Sequence, residues 1–107
     1  MNCKFQTLYS GEDGYVVRCR ECRNYQLAYL CVMITIGATE FQAFCRTVQQ
    51  HYLDSLSLQS DDCKCVVIET SAANTCFIFS RREIKRFAQL LEEADNEEKA
   101  QELLELF

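Results

Sequence analysis

Residues 77–94 read FIFSRREIKRFAQLLEEA, a short apolar run that passes through Ser80 into an amphipathic helix. Ser80 and Glu83 have the spacing of a capping box. The serine hydroxyl accepts from the amide three residues on, and the carboxylate reaches back to the Ser80 amide. Beyond the cap, Ile84, Phe87, Ala88, Leu91 and Ala94 recur at intervals of three and four, which is one apolar helix face. Working backwards, Thr75–Phe79 reads as the strand that feeds this helix, Ser71–Asn74 as a turn, and Cys63–Thr70 as the preceding strand.

The same junction occurs 43 residues earlier. Ile34-x-Ile36-Gly37-x-x-Glu40-Phe41-x-x-Phe44-Cys45-x-x-Val48 lies over Phe77-x-Phe79-Ser80-x-x-Glu83-Ile84-x-x-Phe87-Ala88-x-x-Leu91. Strand phase, helix entry, acid and apolar stripe all match. A β-β-α unit cannot bury both its apolar faces alone, so two such units sharing one antiparallel sheet are expected. The first helix should run from Gly37 to about Leu53, with Phe41, Phe44, Cys45, Val48 and Tyr52 inward. The strands before it are Tyr15–Cys19 and Tyr25–Ile36. The apolar phase switches at Leu30-Cys31, which predicts a bulge or a break there.

After Ala94 the positions that would face the core are Asp95 and Glu98. The apolar pattern resumes in another register with Ala100, Leu103, Leu104 and Phe107. A separate short acidic helix over 95–107 is the reading. The fold class is therefore α+β: an antiparallel sheet from two β-β-α repeats, helices on one face, and a C-terminal acidic helix. The chain reads as a single domain with halves at 1–53 and 61–94.

At 107 residues and 49% apolar content the chain can bury one core. No apolar stretch is long enough to cross a bilayer, and the first residues lack the apolar centre of a signal peptide. A cytoplasmic protein is expected. Eight cysteines in a reducing compartment argue for metal binding or burial rather than a disulfide framework. Cys31, Cys45 and Cys76 read as core fillers. The net charge of −5 is concentrated in residues 92–107, where seven acids face one lysine.

Cys19 and Cys22 sit in YVVRCRECRNYQ, residues 15–26, as a C-x-x-C turn after a β-branched run. Such a turn can offer two sulfurs to one structural zinc. Cys3 is the third candidate ligand, and Cys63, Cys65 and His51 are candidates for the fourth. A redox role for Cys19 and Cys22 is disfavoured, because no helix follows the pair to stabilise a thiolate. Arg18, Arg20 and Arg23 surround the turn, and Arg81, Arg82, Lys85 and Arg86 crowd the second helix start. With Tyr15, Tyr25 and Tyr29 these could contact phosphates and bases, in the manner of a zinc ribbon. The acidic balance makes nucleic acid the weaker partner. With one histidine and no glycine-rich phosphate loop, no catalytic constellation assembles, and a non-enzymatic binding or regulatory module is expected. Its partner would be another protein, or a second copy, engaging Leu103, Leu104 and Phe107.

The C-x-x-C turn before Gln26-Leu27-Ala28-Tyr29, the Glu40-Phe41-x-x-Phe44 helix and the Ser80-x-x-Glu83 helix together resemble a family of small uncharacterised bacterial proteins. The resemblance covers roughly residues 3–94, with Cys3 matching an earlier family cysteine. It implies no assigned activity. Leu30-Cys31 departs from it, standing where a glycine turn would be expected.

Overall fold

The computed structural model describes residues 4–58, 60–70 and 74–106. Its elements are β1 (Phe5–Ser10), β2 (Gly14–Cys19), β3 (Tyr25–Tyr29), β4 (Val32–Ile36), α1 (Phe41–Ser55), β5 (Val66–Glu69), β6 (Cys76–Phe79) and α2 (Arg81–Glu105). The chain packs as two compact units, Met1–Phe41 with Leu90–Phe107, and Gln42–Gln89. The class is α+β with antiparallel pairing throughout, as the hydrophobic periodicities require.

The first unit is built on a four-stranded meander in the order β1-β2-β3-β4. Arg18 lies opposite Tyr25, which lies opposite Ile36, and Val16, Leu27 and Ile34 form the neighbouring row. Strand residues alternate faces, so these rows share one face, and Val16, Tyr25, Leu27 and Ile36 are buried there. A register shift between Thr7 and Tyr9 brings Leu8 into the same core. The expected break at Leu30-Cys31 is a two-residue hairpin turn. Leu30 adopts φ 56°, a conformation that usually falls to glycine, and its N–H donates to the Asp13 carbonyl at 3.0 Å. At Gly14 the backbones of β2 and β3 approach closely. A Cβ there would stand 1.8 Å from the Ala28 carbonyl oxygen.

The second unit joins α1, the β5–β6 hairpin and the first turns of α2. Among the described residues, Val48, Val66, Ile68, Phe77, Phe79, Ile84, Phe87 and Ala88 are its buried apolar residues. Phe87 is the hub, with ring centroids 5.4 Å from Phe79, 5.7 Å from Phe77 and 6.0 Å from Phe44. The hairpin's other face carries Val67 opposite Ile78, both exposed.

The capping box forms in both directions: Ser80 N–H donates to Glu83 Oε1 at 2.9 Å, and Glu83 N–H to Ser80 Oγ at 3.2 Å. Burial pushes the Glu83 carboxyl up. The hydrogen bond from Lys64, the Ser80 bonds and the Lys64 charge outweigh it and hold the group below its ordinary 4.5. A depressed carboxylate stabilises the fold above its unfolded value, and that contribution disappears as pH falls through the folded one. Ser80→Ala is therefore expected to cost about 1 kcal/mol at pH 7. In urea titrations at pH 7 and near pH 3, the deficit of Glu83→Gln should shrink at the lower pH. An equal deficit at both would remove the charge from this account.

Four expectations need correction. The hairpin–helix order does occur twice, but the strands form separate sheets of four and two rather than one shared sheet. α2 is continuous through Asp95 and Asn96, so residues 95–105 extend it instead of forming a separate helix. β5 starts at Val66, because Cys63–Cys65 form a tight turn in which the Cys65 N–H donates to the Cys63 carbonyl at 2.9 Å. Cys31 and Cys76 are exposed and Cys45 is half-buried, so none of the three fills a core as expected.

Candidate functional site

The arginine-flanked turn is well defined. Cys19 N–H donates to the Asn24 carbonyl at 2.9 Å and Arg23 N–H to the Cys19 carbonyl at 3.0 Å, with Arg23 at φ 66°. The Cys22 N–H donates to Cys19 Sγ at 3.4 Å. Cys19 is fully buried and Cys22 exposed. Cys3 lies outside the described residues. Cys63, Cys65 and His51 belong to the other unit, and Cys63 is disulfide-bonded to Cys65. Among the described residues, no group of three or more His, Cys, Asp or Glu side chains could hold a metal ion.

Beside this turn lies a network the sequence did not suggest. Arg18 pairs with Glu98, and Tyr25 Oη donates to the same Glu98 oxygen, Oε1. The guanidinium carbon sits 4.8 Å from the centroid of the Tyr25 ring, whose other neighbour is Phe41, stacked at 3.9 Å. Arg18 also lies 3.6 Å from Glu102, and Arg20 pairs with Glu105 at 2.5 Å. Burial is the largest influence on the Tyr25 phenol and pushes it up. The hydrogen bond to Glu98 and that carboxylate's charge add to this, with Arg18 opposing. Tyr25 therefore stays a donor across the physiological range. Glu98 Oε2 is buried with no hydrogen-bond partner among the described residues. Arg18, Cys19, Glu98 and Glu102 line a cleft of about 110 Å³.

The acids at 98, 102 and 105 are thus the sheet-facing stripe of α2. At about 100° per residue, Ala100, Leu103 and Leu104 centre on the opposite side of the helix. Leu103 is 56% and Leu104 72% exposed, while Phe107 lies outside the described residues.

Two arginines of the second basic cluster are answered in the same way. Arg81 pairs with Asp61 and donates to the Leu58 carbonyl at 2.7 Å, Arg82 pairs with Asp62 at 3.4 Å, and Lys64 with Glu83 at 2.5 Å. A second cleft, of about 350 Å³, is lined by His51, Asp54, Ser55, Leu58, Cys65, Val66 and Val67. Among the described residues, no helix is long and apolar enough to cross a membrane.

Residues 1–106 match a family profile. The chain belongs to DUF6686, a family of unknown function. No curated protein and no solved structure matches it. The expectation of an uncharacterised family is met at that level. For this DUF6686 chain, the arginines that suggested nucleic acid are largely held by its own acids. A pairwise signal of that kind, Arg18 against Glu98 across 80 residues, has no local signature in the sequence.

Proposed function

We propose that this chain is a cytoplasmic, non-enzymatic binding or regulatory module that docks a basic amphipathic segment of another protein. One observation carries the reading: the C-terminal turns of α2 face their acids inward to Arg18 and Arg20 and their leucines outward. Exposed Glu93 and Glu97 lie on the same side of α2 as the leucines, about two to three turns before them, so a segment with leucines followed or preceded by Lys or Arg complements this face. Among the described residues, Arg18, Arg20, Arg81 and Arg82 are ion-paired within the chain, which favours this reading over a nucleic-acid one.

The check is fluorescence anisotropy with a labelled Leu/Lys amphipathic helical peptide of about 14 residues. Binding should weaken with salt, fall at least tenfold in the Leu103→Ser/Leu104→Ser variant, and be absent for a Leu/Glu counterpart. Equal binding by the variant overturns the proposal. So does a solution mass of two chains that this variant reduces to one, which assigns the face to a second copy.

The turn supports a second reading, a structural zinc using Cys19 and Cys22 with Cys3. Its support is that both thiols sit on one turn with an amide directed at a sulfur. Elemental analysis of protein purified without chelator should then give about one zinc per chain. A content far below one removes it.

A further inference from the structure

Cys63 and Cys65 form a disulfide that encloses only Lys64. Both cysteines are exposed. The stabilisation a cross-link gives by restricting the unfolded chain is smallest for the shortest loops, and this one joins no two elements. Its architectural value is accordingly minimal, and its chemistry is left to account for it. Cys65 lines the 350 Å³ cleft together with His51, Asp54 and Ser55. His51 and Asp54 are three residues apart on α1 and share a face. The cleft has the size of a small-molecule site.

We propose that Cys63–Cys65 is a reversible thiol–disulfide exchange site, whose reductant is a low-molecular-weight thiol of the glutathione class. The inference is independent of the docking face on α2. The thiol enters the cleft and gives its proton to the His51 imidazole while its sulfur attacks Cys65 Sγ. The Sγ–Sγ bond breaks, its electron pair leaves on Cys63 Sγ, and that sulfur takes the proton back. A second thiol attacks the sulfur of the first within the mixed disulfide and releases Cys65 with a proton. Two thiols are oxidised to one disulfide, and the protein's bridge gains two electrons and two protons.

The test equilibrates the full chain in glutathione buffers from reduced to oxidised. It alkylates the thiols after acid quenching and locates them by peptide mass spectrometry, so that Cys22, Cys31 and Cys76 do not confuse the result. The peptide spanning 63–65 should pass between bridged and doubly alkylated forms within that range. His51→Gln should slow reduction at least tenfold without moving the midpoint, because a proton carrier changes rate and not equilibrium. Cys63→Ser should trap glutathione on Cys65 faster than Cys65→Ser traps it on Cys63. A bridge that never forms, or forms but is not reduced by glutathione, overturns the proposal. An unchanged rate in His51→Gln, or equal trapping in the two serine variants, overturns the assigned geometry and with it the site.

Discussion

Arg18→Ala is expected to lower the unfolding free energy by roughly 3 kcal/mol or more, the cost of leaving a buried carboxylate without its counter-charge. Glu98 is only 6% exposed, and one of its oxygens already lacks a partner among the described residues. Removing the guanidinium would leave the other oxygen, among the described residues, with the Tyr25 hydroxyl as its hydrogen-bond donor. It would also bare the tyrosine ring face that the arginine covers. The informative comparison is with Arg18→Met/Glu98→Leu/Tyr25→Phe, in which the buried carboxylate and its two partners become apolar together. Desolvation then costs nothing, and stability should return to within about 1–2 kcal/mol of the parent. Urea unfolding of the parent, the single and the triple variant decides it. A triple variant as unstable as the single would show that packing, rather than the unpaired charge, sets the loss.

Phe87→Ala should be comparably damaging, at about 3–5 kcal/mol. Its ring is fully buried, with Phe44, Phe77 and Phe79 around it at centroid distances of 5.4–6.0 Å. Three aromatic neighbours cannot collapse together into the space one ring vacates, so most of the cavity should persist. Phe87→Leu fills more of it and should lose about half as much. Ile78→Ala, on the exposed face of the same hairpin, should change stability by no more than about 0.5 kcal/mol. A Phe87→Ala loss as small as that of Ile78→Ala would mean that the ring cluster contributes little to the core.

What the sequence made legible is what local periodicity encodes. The Ser80/Glu83 cap is formed, and Ile84, Phe87, Ala88, Leu91 and Ala94 are all buried. β2, β3, β4 and α1 lie close to where alternation and the i, i+3, i+4 stripe placed them. Glu98 defeated the same reasoning. Taken alone, an acid at a core-facing position argues for a helix break. With Arg18 and Tyr25 opposite, it is satisfied in part and α2 continues. Leu103 and Leu104 were legible as a change of register, but their outward direction follows from which side Glu98 takes. β1 escaped because a six-residue edge strand with a bulge has no clean alternation. The Cys63–Cys65 bridge was hidden because Cys63–Thr70 reads as a strand, which leaves no turn between the two cysteines for a bridge to close.

The first unit is discontinuous along the chain, since its sheet comes from residues before 42 and its helical part from residues after 89. The second is one unbroken segment between them. A ribosome delivers these parts in order, at roughly 5–20 residues per second. The earliest strands therefore emerge first and wait the longest for their partner. Until residue 98 is made, Arg18 and Tyr25 have no carboxylate to meet, whereas every residue of the second unit is available by residue 89. Order of synthesis and order of completion are thus reversed for the two units.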